Sequence, residues 1–522
     1  MLAVARTFSL LGIEAREVRV EADVRTGLPS FALVGQPDAA VRESRERVRA
    51  ALVNSGFEYP QQRITANLAP ADLRKAGPGF DLAIAAAVLA ATGQLPERAL
   101  ADLALAGELA LDGSIRPVPG TMAMAEAAGQ AGIRIAVAPA AGPEAALAAG
   151  AGVVPVARLA QLRALGGEDE PCAPSPLTAA PTGAAQPDLA DLRGQPGLRR
   201  ALEVAAAGGH SLLISGPPGA GKSMAARRLP SILPPLGPRE TREAARVASA
   251  CGRPVGDAVA RRRPFRTPHH TISTAGLIGG GTPPRAGEVT LAHHGVLFLD
   301  ELPEFGRGAL EALRQPLEDG SIRLVRARYA VELPCRFQLV AAANPCPCGR
   351  GSGSGSCTCD PSAIRAYEAK LTGALVDRID ISLAVAQPDL GTFTDPGEAS
   401  APVLERVLAA RERQRERTGD DRSNAELAPS EVRIDPDTER LLAAAGAAGS
   451  LSGRGRGRVI RLARTLADLG GRKEVTVADA EEALSLRRPR GRLAMSAAAA
   501  GPSGPWTIDR RSPSARLRRQ AG

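Results

Sequence analysis

Phosphate-binding chemistry is the strongest indication in the sequence. An apolar run from His210 to Ser215 leads into GPPGAGKS, which matches GxxxxGK[ST], and a helical pattern follows. In such a loop backbone N–H groups face phosphate oxygens, Lys222 reaches the β and γ phosphates, and Ser223 binds Mg²⁺. The predicted nucleotide-binding residues are Gly216, Pro217, Pro218, Gly219, Ala220, Gly221, Lys222 and Ser223, together with Asp300.

Two further apolar runs end in polar side chains that suit ATP hydrolysis. GVLFLDE ends in Asp300 and Glu301, and FQLVAAAN ends in Asn344. An acidic pair at a strand end can hold Mg²⁺ through Asp300 and polarise the attacking water through Glu301. A parallel sheet would place Asn344 beside the γ phosphate. The alternative for the acidic pair is a capped strand end with two solvated acids, which the upstream phosphate-binding loop makes the weaker interpretation.

Four of the seven cysteines lie in NPCPCGRGSGSGSCTC, directly after Asn344. Cys346, Cys348, Cys357 and Cys359 could form a tetrahedral zinc site, and its role would be structural because four thiolates leave no open position. CxC is less usual than CxxC in structural zinc sites, so a loop without metal is an equal alternative. Adjacent His269 and His270 lack an acidic or thiol partner at suitable spacing and are not predicted ligands.

The elements around these residues predict an α/β protein of several domains. Before a Pro/Ala/Gly-rich stretch lies a mixed α/β region, with a strand predicted from Arg16 to Val24 and a helix from Asp38 to Gly56. After that stretch apolar runs alternate with helices, which is typical of a parallel sheet. The predicted divisions are 1–165, a linker at 166–187, a core at 188–390, a helical lid at 391–486 and a basic disordered tail at 487–522.

Charge and hydropathy narrow the cellular context. The formal net charge is +9, but nine Arg and one Asp between Arg487 and Gly522 place most of it in the tail, which either contacts phosphates or is simply solvated. The sequence contains no run of 18 uncharged apolar residues and no evident leader, so we predict a cytoplasmic protein without a membrane partner. The cysteines are expected to be reduced or metal-bound.

Several long motifs resemble the magnesium-chelatase-like YifB/ComM family of AAA+ ATPases. They are RPFRTPHHTIS (263–273), LIGGG (277–281), PRAGEVTLAHHGVLFLDELPEF (284–305) and AAANPCPCG (341–349). The resemblance runs from Met1 to about Leu486 and implies an AAA+ core with a helical lid. It also implies that Arg378 is an arginine finger acting on a neighbouring subunit's ATP, and that Arg454 is the second sensor, with Arg458 as the alternative. For Arg378 the alternative is a surface arginine paired with Asp377 or Asp380.

A hairpin is predicted from Ile322 to Leu333, with a basic turn that carries Arg326 and Arg328. In this clade such a hairpin projects into a ring's central pore, where the two arginines would contact the backbone of single-stranded or branched DNA. An ordinary soluble hairpin is an equal alternative. The resemblance implies a homo-oligomer, a hexameric ring, with helicase or branch-migration activity in recombination, including that of transforming DNA.

Two other functions compete with a DNA motor. A chelatase-like chaperone would use ATP to remodel a protein or insert a metal, but no DxSxS metal-adhesion motif is present. The N-terminal region also resembles the proteolytic domain of Lon-type proteases, which need a Ser nucleophile and a Lys base. Gly79 stands at the Ser position and Met122 at the Lys position. We therefore predict a Lon-like α+β domain without protease activity.

Overall fold

The computed structural model describes residues 1–148, 150, 152–165, 186–282, 284–326, 329–351, 357–371, 375–388, 397–448 and 451–487. Residues 166–185, which form most of the predicted linker, and residues 488–522 of the predicted tail lie outside the described part. No helix in that part is long and apolar enough to cross a membrane.

The N-terminal region is a seven-stranded mixed sheet with helices packed on it. Its strand order is β3-β4-β2-β1-β5-β8-β9. In β2 every second residue from Val18 to Val24 is buried, and α2, an almost wholly apolar helix, lies against the buried face. The elements are β1 (Leu2–Leu11), β2 (Glu14–Arg25), β3 (Ser30–Val34), α1 (Ala39–Asn54), β4 (Arg63–Ala69), α2 (Asp81–Ala91), β5 (Leu103–Ala106), β6 (Glu108–Leu109), β7 (Ile115–Arg116), α3 (Thr121–Gln130), β8 (Arg134–Val137), α4 (Gly142–Ala145) and β9 (Val153–Pro155).

The central region is built on a five-stranded parallel sheet in the order β11-β14-β17-β10-β18. Strands buried on both faces should be continuous apolar runs, and VLFL and LLIS are completely buried. The elements are α5 (Pro196–Gly208), β10 (Leu212–Ser215), α6 (Lys222–Arg228), α7 (Pro238–Ala250), α8 (Gly256–Val259), β11 (Phe265–Arg266), α9 (Thr274–Ile278), β12 (Gly279–Gly280), β13 (Arg285–Ala286), α10 (Glu288–Leu291), β14 (Val296–Leu299), α11 (Arg307–Ala312), α12 (Arg314–Asp319), β15 (Ser321–Arg326), β16 (Tyr329–Pro334), β17 (Gln338–Ala343), α13 (Pro361–Leu371) and β18 (Ile381–Ala384).

The C-terminal region is helical and packs on the core. It contains α14 (Ser400–Thr418), α15 (Pro436–Ala447), α16 (Gly453–Leu469) and α17 (Val477–Ser485). Buried polar groups tie it to the start of β10: the Nε2 atom of His210 lies 2.8 Å from the hydroxyl of Thr465. Next to this pair, the Asp380 carboxylate lies 3.3 Å from Nε of Arg458. The lid is therefore fixed at the amino end of the central strands.

Among the described residues, the N-terminal region contacts the core at the start of α3 and at the tip of the β1–β2 hairpin. The backbone N–H groups of Gly120 and Met122, at the start of α3, donate to the carbonyl (2.9 Å) and the hydroxyl (3.2 Å) of Ser249 on α7. The tip of the β1–β2 hairpin also reaches the β15–β16 hairpin, where a side chain at Gly12 would clash with Val331. The N-terminal region therefore touches the predicted pore hairpin.

The buried Asp380 carboxylate is predicted to stabilise the fold in a pH-dependent way. Burial alone would raise its pKa, but the contact with His210 and the charges of Arg461 and Arg458 outweigh burial and lower the pKa to about 2. Because the folded pKa lies below the ordinary value, the stabilisation is complete above about pH 4 and is lost as the pH falls towards 2. At pH 7 we expect Asp380→Asn to lower the free energy of unfolding by about 2 kcal/mol.

Urea unfolding of the two chains at pH 7 measures this loss, and Asp437→Asn is the control because Asp437 is an exposed acid paired with Arg440 on α15. Equal stability of the Asp380→Asn and wild-type chains would contradict the assigned role of Asp380.

Candidate active site

The Gly-rich loop connects β10 to α6 at the carboxyl edge of the parallel sheet. Gly219 and Gly221 have φ values of 80° and 83°, which only glycine adopts without strain. The ammonium group of Lys222 donates to the carbonyls of Gly216 (2.7 Å) and Pro217 (2.9 Å) and to Oδ1 of Asn344 (3.1 Å). Burial lowers the pKa of Lys222, and the charges of Asp300 and Glu301 oppose that shift. The loop thus holds its cation where phosphates would bind.

The acidic pair lies beside this loop at the end of β14. The hydroxyl of Ser223 donates to Oδ2 of Asp300 at 2.7 Å, and Oδ1 of the same carboxylate accepts from the backbone N–H of Glu301 at 3.0 Å. Glu301 has φ 53°, a left-handed conformation that costs about 1–3 kcal/mol and occurs often at functional sites. Ser223 and Asp300 can therefore share one Mg²⁺, with the exposed Glu301 carboxylate next to it.

Two neighbours of this centre, His270 and Gln195, were not predicted from the sequence as residues of the ATP site. Nδ1 of His270 lies 3.6 Å from the Glu301 carboxylate, so His270 belongs beside the acidic pair. The side-chain amide of Gln195 donates to the carbonyls of Ala220 (3.3 Å) and Ala386 (2.7 Å), which ties the Gly-rich loop to the residues after β18. Neither contact has a local sequence pattern, since each joins separate segments of the chain.

Arg378 lies at the amino ends of the central strands, opposite to the carboxyl ends where the phosphate-binding loop lies. Its carbonyl accepts from the hydroxyl of Ser211, which precedes β10, whereas Gly216 follows β10. The five residue-to-residue steps from Ser211 to Gly216 span about 16 Å in a strand. The Arg378 guanidinium is mostly buried and forms an ion pair with Glu318. Arg378 therefore lies away from the phosphate-binding loop of its own chain.

Arginines from the lid, and Arg487 directly after it, gather at the same amino end of the central strands. Arg458 and Arg461 face Asp380, and Arg487 donates to the carbonyl of Asp380 at 3.1 Å. Burial and the positive charge of three neighbouring arginines lower the pKa of Arg458 to about 10. Arg454 is exposed and precedes Arg458 by one helical turn, so both lie on one face of α16. Among the described residues named here, five arginines (Arg378, Arg454, Arg458, Arg461 and Arg487) stand against three carboxylates (Asp377, Asp380 and Glu318).

Three family models and several relatives match this chain over most of its length. The family model described as "Magnesium chelatase, subunit ChlI" matches residues 188–392, "Subunit ChlI of Mg-chelatase" matches 20–142, and the ChlI C-terminal model matches 397–487. The uncharacterised protein YifB of Escherichia coli is 43% identical over 93% of this chain and 97% of its own length. Competence protein ComM of Haemophilus influenzae is 41% identical over 93% of this chain and 97% of its own length.

The chain belongs to the YifB/ComM family of magnesium-chelatase-like AAA+ ATPases. The resemblance inferred from sequence motifs is confirmed, as is the α/β fold with a parallel-sheet core and a helical C-terminal region. The family implies ATP and Mg²⁺ as ligands. The residues around Lys222, Ser223 and Asp300 fit both ligands, since they combine a phosphate-facing loop, a cation and a hydroxyl–carboxylate pair.

The four clustered cysteines, Cys346, Cys348, Cys357 and Cys359, lie close together in the structure. The Sγ atoms of Cys346, Cys348 and Cys357 lie 3.4–3.8 Å apart, and all four sulfurs lie within 4.8 Å of one another. Tetrahedral zinc with bonds of about 2.3 Å requires about 3.8 Å between sulfurs. Backbone N–H groups of Cys348 and Gly351 donate to Sγ of Cys359 and Cys346. The cluster therefore fits a tetrathiolate metal site.

A second group of potential ligands, Glu243, His293 and His294, fits a metal less well. Nδ1 of His293 accepts from the backbone N–H of Arg336 at 3.1 Å, so Nε2 must carry the proton of the neutral ring. Burial lowers the pKa of His293 to about 4, which keeps the ring neutral. Nε2 then faces Glu243 as a donor and offers no lone pair, so these side chains form a hydrogen-bonded link between α7 and the start of β14.

The β-hairpin that was predicted to contact DNA is present, with β15 and β16 paired from Ser321 to Pro334. Arg328 and the side chain of Arg326 lie outside the described residues. Arg323 and Val325 on the same hairpin are exposed. One face of the described hairpin is therefore exposed, while its other face is buried against the core and the N-terminal region.

The residues at the Lon-like catalytic positions carry no nucleophile or base. Gly79 lies in a turn before α2, and the Met122 side chain is fully buried among apolar residues of α7 and its surroundings. Residues 20–142 match a magnesium-chelatase subunit model. Met122 thus serves packing between the N-terminal region and the core.

Proposed function

We propose that this chain is one subunit of a ring-forming ATPase that moves on DNA. The observation that carries the proposal is the separation of the two halves of the hydrolysis machinery: Lys222, Asp300 and Glu301 lie at one edge of the central sheet, and Arg378 lies at the other. A head-to-tail ring brings opposite edges of neighbouring subunits together. Each ATP would then be hydrolysed between two subunits, in a hexamer.

Within one subunit the proposed roles follow the contacts. Backbone N–H groups of Gly216–Ser223 bind the phosphates, and Lys222 exchanges its carbonyl partners for phosphate oxygens. Ser223 and Asp300 hold Mg²⁺, Glu301 polarises the attacking water, and Asn344 orients the γ phosphate. Mg²⁺ supplies charge neutralisation on the phosphate oxygens.

The neighbouring subunit supplies Arg378, whose guanidinium stabilises negative charge as the γ phosphate is transferred. Arg454 projects from the same edge and is proposed to reach the same neighbouring ATP, since its own phosphate-binding loop lies at the far end of β10. An anion that binds at this end of the strands would lower the electrostatic repulsion between the arginines. This favours action across the interface for both arginines.

DNA is the proposed substrate track. One face of the β15–β16 hairpin is exposed and the sequence of its turn is basic, which suits the backbone of single-stranded or branched DNA in a central pore. The name of the relative ComM indicates competence for that protein, which is consistent with branch migration or unwinding of transforming DNA. The N-terminal region would act as a Lon-like structural domain without protease activity.

A double substitution of Arg326 and Arg328 by Ala tests the hairpin. We expect weaker binding of single-stranded DNA, and the slope of log affinity against log salt should fall by about 1.4, because two phosphate contacts are lost at about 0.7 each. Fluorescence anisotropy between 50 and 200 mM salt would measure both. Arg307→Ala is the control, since Arg307 is 91% exposed on α11. An unchanged salt slope would remove the hairpin from the DNA path.

A chelatase-like chaperone is the alternative, favoured by the magnesium-chelatase name of the matched family models. Such a protein would hydrolyse ATP without any response to DNA. Its hydrolysis would instead respond to a protein client or to a metal acceptor, and the N-terminal region would be the natural place for client binding.

A further inference from the structure

The cysteine cluster touches the nucleotide site at two places. Cys346 follows Asn344 by two residues, and Asn344 contacts Lys222. Gly349, between the two CxC pairs, lies against Pro218 of the phosphate-binding loop: a Cβ added at Gly349 would lie 2.9 Å from Cγ and 3.0 Å from Cδ of Pro218. The cluster is therefore a neighbour of the ATP site in space as well as in sequence.

The segment after the cluster also returns to Asn344. Cys359 lies two residues before α13, and Tyr367 of α13 is buried with its hydroxyl near the backbone of Asn344. Burial raises the pKa of this hydroxyl to about 12, so it stays neutral. Cys346 thus directly follows the segment of Asn344, and Cys359 directly precedes the helix whose Tyr367 lies near Asn344.

We propose that the four thiolates bind one zinc ion and that the zinc-bound loop braces the ATP site, holding Asn344 and Pro218 in place. A loop rich in Gly and Ser has a large conformational entropy to lose, and four metal bonds remove it. Without the metal, the support behind Asn344 and the phosphate-binding loop is lost. Zinc then controls nucleotide affinity without taking part in the chemistry. The inference rests on the proposed ATP-binding role of Gly216–Ser223.

A pair of glycine substitutions separates contact with the ATP site from metal binding. Gly349 and Gly351 have φ values of 82° and 85°, so Ala costs similar backbone strain at both positions. Only Gly349 touches the phosphate-binding loop, whereas a Cβ at Gly351 would lie 3.5 Å from Pro345. We expect Gly349→Ala to bind zinc normally and to bind ATP·Mg²⁺ at least about tenfold more weakly than Gly351→Ala.

Removal of the metal tests whether zinc binding controls nucleotide affinity. Wild-type protein, Cys348→Ser and the control Cys251→Ser, whose cysteine lies outside the cluster, would be purified under reducing conditions. Zinc would be measured by plasma mass spectrometry, nucleotide affinity with a fluorescent ATP analogue, and folding by circular dichroism. We expect about one zinc ion per chain for wild type and Cys251→Ser. For Cys348→Ser we expect little zinc, native secondary structure and at least about tenfold weaker nucleotide binding.

Three outcomes would overturn the inference: wild-type protein with almost no zinc, a zinc-free Cys348→Ser chain with wild-type nucleotide affinity, or equal affinities for Gly349→Ala and Gly351→Ala. Wild-type protein that holds zinc but binds no nucleotide would instead contradict the proposed function, and the coupling with it. The zinc measurement keeps these failures apart.

Discussion

Lys222→Ala protein will fail to bind ATP. The Lys222 ammonium makes three hydrogen bonds at the mouth of the phosphate-binding loop, with two loop carbonyls and Asn344. Without it, the β and γ phosphates lose a direct charge-assisted contact, and the polar groups that Lys222 now satisfies face each other unpaired. We expect nucleotide affinity to fall by about a hundredfold or more, equivalent to at least about 2.8 kcal/mol.

Equilibrium titration with a fluorescent ATP analogue and Mg²⁺ would measure this loss. Lys473→Ala is the matched control, because Lys473 is an exposed lysine of the lid whose backbone carbonyl makes its contact with Arg464. Tight ATP binding by Lys222→Ala would show that the nucleotide site lies elsewhere.

Arg378→Ala protein will bind ATP and fail to hydrolyse it. Arg378 lies about 16 Å along the strand direction from its own phosphate-binding loop, so its loss leaves that loop intact. An arginine supplied by a neighbouring subunit contributes about 10³-fold or more to phosphoryl transfer. We expect the hydrolysis rate to fall by about that factor with nucleotide affinity unchanged.

Mixed rings distinguish action across the interface from a structural role. Lys222→Ala subunits keep Arg378 and can complete the site of an Arg378→Ala neighbour, so about one interface in four is restored in an equal random mixture. Glu318→Ala is the control, since it breaks the same ion pair within the chain and leaves the guanidinium in place. Mixed rings without activity, or inactivity of Glu318→Ala, would contradict a finger that acts on the neighbour.

The sequence predicted the parts of the site that depend on local pattern. Apolar runs that end in Ser215, Asp300 and Asn344 are buried parallel strands, and parallel strands end at one edge, so their close approach follows from sequence order. The same local logic located the helix that starts at Asp38, where the capping side chain accepts from the backbone of Val41.

The remaining contacts depend on distant segments that no local pattern encodes. His270 contacts Glu301, Gln195 links the phosphate-binding loop to Ala386, and Gly349 packs on Pro218. The two residues of each contact are far apart in the sequence and come together only in the folded protein. The sequence also left Arg378 between a surface ion pair and an interface role. The structure places it at the end of the strands opposite its own ATP loop, where it forms an ion pair with Glu318.

The ATP hydrolysis rate in the presence of DNA tests the central claim most directly. Wild-type protein would be assayed without DNA and with linear, forked and four-way-junction DNA, and Glu301→Gln, which removes the carboxylate proposed to polarise the water, would serve as the inactive control. A DNA motor predicts strong stimulation of the wild-type rate, greatest with branched DNA, and none for Glu301→Gln. A wild-type rate that no DNA changes would contradict the motor and favour an ATPase that acts on a protein client.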